Sequence, residues 1–185
     1  LGSRNQRLSQ FWLSDQSGVP IDPRLAGKKV IILDNEDDFV KMLTHLLGVL
    51  GLTVEVVRHE NWTPETLDSA DLAILGPGPG DPRLTDDPKM AVVRAAADRL
   101  LERKQRFLAV CLGHQMLCDR LGFDLVFKDI VFQGTQSTLP VLDRNETVGF
   151  YNTFVARVPA TGLPEGITVQ TDPTSGDIHL ISGPN

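Results

Sequence analysis

The chain has 185 residues, 41% of them hydrophobic and 23% charged, the size and balance of one globular domain. A net charge of −6 without any basic run argues against a nucleic-acid partner, and no apolar run approaches the roughly 20 residues of a membrane span. Two cysteines make no disulfide framework and no signal-peptide pattern opens the chain, so a reducing, cytoplasmic setting is expected.

Residues 1–27 mix charge, glycine and proline around the pair Phe11-Trp12, the pattern of an interdomain linker that docks by an aromatic anchor. From Lys28 to Asn185 the rhythm is that of a folded domain. Val30–Leu33 reads as a buried strand, Asp37–Leu50 as an amphipathic helix stopped by Gly51, and Leu52–Val57 as a second strand. Leu72–Leu75 is a third strand, Pro88–Arg103 a helix, Phe107–Val110 a fourth strand and Gln115–Leu121 a further helix. This alternation predicts an α/β fold with a doubly wound, mostly parallel sheet. After residue 121 the runs 123–127, 148–158, 167–170 and 178–181 are short and turn-bounded, and predict added antiparallel strands.

Three segments fall at the carboxyl ends of the parallel strands, where such folds bind ligands. In the first, Asp34-Asn-Glu-Asp-Asp38, the carboxylates resemble a receiver-domain metal corner. A receiver also needs an aspartate at the end of the third strand, where this chain has Leu75 and Gly76. Helix capping by Asp37 or Asp38 is the better account. The second, Gly76-Pro-Gly-Pro-Gly80, is a rigid loop suited to aiming backbone N–H groups at an oxyanion. It lacks the Gly-Lys-Ser/Thr of a phosphate loop.

Cys111 ends the fourth strand, with Gly113 two residues on. A lone cysteine in an apolar run is usually a small core residue, and Cys118, inside the following helix, suits that reading. Cys111 instead occupies a strand-to-helix turn, the setting of a nucleophile elbow. There the unpaired N–H groups and dipole of the helix should favour thiolate. A cysteine nucleophile needs a base. Of His45, His59, His114 and His179, His114 is too close in sequence to turn back on the sulfur, and His179 is a weak outside candidate.

Cys-Leu-Gly-His-Gln at 111–115, Gly-Pro-Gly-Pro-Gly at 76–80 and Leu-Asp-Asn-Glu-Asp-Asp-Phe at 33–39 resemble, in order and spacing, the class I, triad-type glutamine amidotransferases, whose fold is flavodoxin-like. The nearest likeness is to glutaminase domains of anthranilate synthases. The segments 128–136 and 148–154 are similar to the phenazine branch, the 2-amino-2-desoxyisochorismate synthases, and Arg4–Trp12 resembles the linker joining the two halves of those enzymes. The resemblance implies that Cys111 is the nucleophile on L-glutamine and that the N–H groups of Gly78 and Leu112 form the oxyanion hole. It further implies that Gly78, Pro79, Gly80 and Gln115 line the glutamine pocket, and that Thr153 and Phe154, where relatives have Ser-Leu, hold the α-carboxylate by backbone groups.

Ammonia would pass to a chorismate-using synthase domain, upstream in the same polypeptide or a separate subunit, with the whole protein a homodimer. Magnesium would belong to that partner, leaving no metal or cofactor in this chain. The family's base, a histidine in a His-Pro-Glu type motif, is expected beyond Asn185, which makes the domain at 28–185 incomplete at its C-terminus. The alternatives are an anthranilate synthase glutaminase of tryptophan synthesis and a degenerate, non-catalytic module.

Overall fold

The computed structural model describes residues 21–185; the expected anchor Phe11-Trp12 and the Arg4–Trp12 linker segment lie outside the described residues. Strands β1 (Lys29–Asp34), β2 (Thr53–Arg58), β3 (Leu72–Leu75) and β4 (Phe107–Ala109) form a parallel sheet in the order β2-β1-β3-β4. Helices α1 (Phe39–Val49), α2 (Pro88–Glu102) and α3 (Leu112–Arg120) connect and cover them.

Alternation along the strands divides the core. Ile31, Leu33, Ala73 and Leu75 pack against Met90, Val93, Ala97 and Leu100 of α2 and against Leu112 and Met116 of α3. Val30, Ile32 and Ile74 face the other way, onto Val40, Leu43 and Leu47 of α1. Both faces of the sheet are thus helix-covered, which explains why its strands read as continuous apolar runs. Full burial of each such side chain contributes roughly 1.5–3 kcal/mol.

The residues after 121 form a second sheet of their own, in the order β5-β6-β8-β7, rather than an extension of the first. Its strands are β5 (Asp124–Val141), β6 (Arg144–Arg157), β7 (Thr168–Thr171) and β8 (Ile178–Ser182), all antiparallel. The runs at 123–127 and 148–158 are the inner ends of one long β5–β6 hairpin that the sequence pattern missed. In its outer half, Ser137 to Thr147, of the apolar side chains only Leu139 is buried and Val141 half-buried, an apolar alternation too short to read as a strand. Cys118, Phe123, Ala156 and Ile178 form the joint between α3 and this sheet, so Cys118 is the core residue it was expected to be.

Two boundaries shift with consequence. The third helix starts at Leu112, three residues before the expected Gln115, so Cys111 occupies its N-cap position. The first helix starts at Phe39; Asp38 makes no side-chain cap there, and Asp37 Oδ1 instead accepts the Phe39 N–H at 2.8 Å.

Candidate active site

The chain leaves β1 for β2 on one side and returns to β3 on the other, so the switch in winding falls between β1 and β3. A crevice opens at that point, outside the carboxyl ends of the strands. Three turns meet there: residues 34–38 after β1, residues 76–80 after β3, and Cys111 after β4.

Cys111 has φ 52° and ψ −110°, a left-handed backbone that a residue with a side chain adopts only under constraint. The constraint is close packing. Val110 N–H donates to the Leu75 carbonyl at 3.0 Å, and a Cβ at Gly113 would run into that same carbonyl oxygen. Only glycine lets the first turn of α3 sit against the end of β3. Gly78 is pressed in the same way on the backbone of Asn35, which a Cβ would overlap. Asn35 is fully buried, and its Nδ2 donates to the Gly76 carbonyl at 2.9 Å.

The backbone N–H groups of Leu112 and Gly78 both favour the ionised form of the Cys111 sulfur. This brings together the three residues the resemblance selects. The thiol's acidity, however, corrects the sequence expectation. Burial is the largest influence and pushes the thiol above its ordinary value, and the Asp37 charge adds to that; the Leu112 and Gly78 N–H groups pull the other way and do not prevail. The dipole at a helix N-terminus gives at most about 2 kcal/mol, and here the protein packed around the sulfur outweighs it although the residue keeps an exposed side on the crevice. Cys118 is pushed up to about 12 by the same burial and is inert.

Cys111 opens on a cavity of about 990 Å³ walled by Pro77, His114, Gln115, Tyr151, Asn152 and Phe154, among others. From the Gly-Pro loop it takes Pro77 rather than Gly78, Pro79 or Gly80, and from β6 it takes Asn152 and Phe154 rather than Thr153. Pro79 and Gly80 are exposed. Gln115 is buried, and its Nε2 donates to the Phe154 carbonyl at 3.1 Å, joined there by Asn152 Nδ2 at 3.0 Å. Arg83, which the sequence reading passed over, lays its guanidinium 4.6 Å from the centre of the Phe154 ring while paired with Asp81. Asn35 was passed over too, because nothing in the sequence separates it from the carboxylates around it.

None of the groups that act on the Cys111 thiol is a histidine. His114 Nε2 lies 3.5 Å from the Cys118 sulfur, and burial, aided by His179, drives its pKa down to about 4, so it is neutral at pH 7. His179 donates from Nε2 to the Pro140 carbonyl at 2.7 Å. His45 lies within α1 and His59 in the turn after β2. Glu36, His59 and Glu60 bring possible ligand atoms within 4.8 Å of one another, but Lys89 and Arg58 already pair with the two carboxylates. The group is an ion-pair network in character.

The family model for class I glutamine amidotransferases matches residues 31–175, and the chain belongs to that family. It is 38% identical over 190 residues to an anthranilate synthase, phenazine specific, of Pseudomonas chlororaphis, and 39% identical over 190 residues to one of Pseudomonas fluorescens. All of this chain aligns with each, covering 30% and 29% of the two relatives, so the chain spans about a third of their length. Among solved structures, a glutamine amidotransferase from Thermotoga maritima superposes with a TM-score of 0.64 at 13% identity, over 81% of this chain and 69% of that one. At that identity the likeness concerns the fold. Among the described residues no helix is long and apolar enough to cross a membrane.

Proposed function

We propose that this chain is the glutaminase unit of a chorismate-using synthase of the phenazine type, working in a reducing cytoplasm. The observation that carries the reading is the Cys111 sulfur, held at the head of α3, where the N–H of Leu112 in the first turn of that helix and the N–H of Gly78 in the loop after β3 both favour its ionised form. The thiolate attacks the γ-amide carbon of L-glutamine, and the Gly78 and Leu112 N–H groups take the charge that develops on the oxygen. Each such donor is worth about 3 kcal/mol of barrier. The amide nitrogen leaves as ammonia, and water then releases glutamate from the γ-glutamyl thioester. Gln115 acts by fixing the Phe154 carbonyl, and with it the β6 backbone at Thr153 and Phe154 that would hold the α-carboxylate. Ammonia passes to the synthase, whose product is 2-amino-2-desoxyisochorismate.

Among the described residues no histidine acts on the Cys111 thiol, and the general base is taken to be the histidine of a His-Pro-Glu type motif, as the resemblance implies. The expected outcome is that residues 1–185 hydrolyse glutamine at least about 100-fold more slowly than a polypeptide carrying a further His-Pro-Glu type segment, the usual worth of a positioned base. Equal steady-state rates would overturn the assignment of the base. In the longer, synthase-bearing protein, aminated isochorismate without pyruvate is the expected product, and anthranilate with pyruvate would move the chain to the anthranilate branch.

The raised pKa of the Cys111 thiol favours one other reading, a non-catalytic module with an inert thiol. Labelling by the glutamine-mimicking diazoketone 6-diazo-5-oxo-L-norleucine, mapped to Cys111, decides against it.

A further inference from the structure

We propose that Asn35 is a positioning residue for the reaction, its buried side-chain amide holding the Gly76 carbonyl so that the Gly78 N–H points at the reacting centre. The proposal rests on reading Cys111 as the nucleophile. Asn35 is 0% exposed and contributes one hydrogen bond, Nδ2 to the Gly76 oxygen at 2.9 Å, while its Oδ1 is buried without a partner among the described residues. An unsatisfied buried amide oxygen costs about 1–3 kcal/mol. A leucine-sized apolar group would avoid that cost, so the arrangement answers to the donor it keeps.

The donor's geometry is specific. The Gly76 carbonyl is the first of the Gly-Pro loop, and the Gly76–Pro77 peptide plane turns with it. Pro77 fixes the next φ, so a single torsion, its ψ, remains between the held carbonyl and the direction of the Gly78 N–H. Gly78 in turn lies on the backbone and Cβ of Asn35, so one residue holds the loop from its carbonyl and supports it from below. Asn35 is fixed in its own loop. Asp34 Oδ1 accepts the Glu36 N–H at 2.9 Å, and the Glu36 carboxylate is tied to Lys89 on α2 at 2.8 Å. The Gly78 N–H already acts on the Cys111 sulfur in this arrangement.

The test uses residues 1–185 and two reagents on Cys111. With 6-diazo-5-oxo-L-norleucine the thiol proton goes to the diazo carbon, the sulfur–carbon bond forms and N2 leaves, with the ketone oxygen lying where the oxyanion donors point. With iodoacetamide the sulfur displaces iodide and those donors are not needed. The ratio of the two rates should fall about 10- to 100-fold in Asn35→Asp and in Asn35→Ala, the loss expected of a misdirected donor. Cys118 remaining unlabelled reports that the variants are folded. If both variants expose Cys118, the wild type decides: the Gly78 amide resonance must follow the ionisation of Cys111, and its invariance overturns the proposal. An unchanged ratio in folded variants overturns the role of Asn35 alone. No diazoketone adduct at Cys111 of the wild type overturns the nucleophile reading, and this proposal with it.

Discussion

At the scale of single residues, Cys111 carries two opposed influences. Its backbone is held in a left-handed conformation and two N–H groups favour the ionised sulfur, yet burial and Asp37 make the thiol harder to ionise. The free protein at neutral pH therefore holds mostly thiol, and thiolate forms when something shifts that balance, such as a base or a bound substrate. The sign is direct. A raised pKa means the thiolate fraction, and with it alkylation by iodoacetamide, keeps climbing about tenfold per pH unit past the ~8.5 at which an ordinary cysteine levels off. Peptide mapping of Cys111 alkylation from pH 6 to 10 checks this, and a plateau reached by pH 7 would sink it. The proposed nucleophile and the glycine after it were legible because they stand in one contiguous motif, and the two proposed oxyanion donors came from the resemblance that this motif and the Gly-Pro loop carry. Asn35 and Arg83 were not, because their roles arise from what lies across the crevice from them.

At the scale of elements, the parallel sheet and its helices follow from apolar period, with errors at the ends. The β5–β6 hairpin shows where pattern fails. Its turn is made by Leu142 and Asp143, and Leu142 has φ 55°, a conformation that glycine or asparagine would adopt at lower cost. Gln170 on β7 holds the turn in place, donating from Nε2 to the Leu142 carbonyl at 3.1 Å and accepting its N–H on Oε1 at 3.0 Å. No turn signal marks the site because the constraint comes from another strand. Leu142→Asn should therefore stabilise the protein by about 1 kcal/mol, read as a higher midpoint in urea with an unchanged slope. A lower midpoint would mean that the Leu142 side chain matters more than its backbone.

At the scale of the whole molecule, the two sheets meet at α3 through an apolar joint, and the second sheet is braced by a buried charge cluster of its own. Asp177, just before β8, accepts from Lys128 of β5 at 2.7 Å and from Arg157 of β6 at 3.1 Å. Burial alone would raise its carboxyl pKa, but the two cations together hold it below the usual carboxylate range. The contribution is therefore complete above the unfolded-state value near 4 and is lost as pH falls through the lower folded value. Asp177→Asn should cost about 2–3 kcal/mol near neutral pH, since it leaves the buried Lys128 without its counter-charge; Arg157 is half-exposed and loses less. The gap between the variant and wild type should narrow below pH 4, and urea titrations at pH 7 and pH 3.5 test it. A gap independent of pH would show that packing, and not charge, holds this corner.

The sequence by itself determined the parallel α/β core and the residue at its chemical centre, because both are written in local terms: apolar period, turn composition and a short contiguous motif. Only the tertiary structure decided that the later strands form their own sheet, that Gly78 and Leu112 N–H both act on one sulfur, and that burial outweighs the helix dipole there. Those outcomes depend on distances between segments far apart in the chain and on how much solvent the packing removes, and neither quantity is encoded in any single stretch of residues.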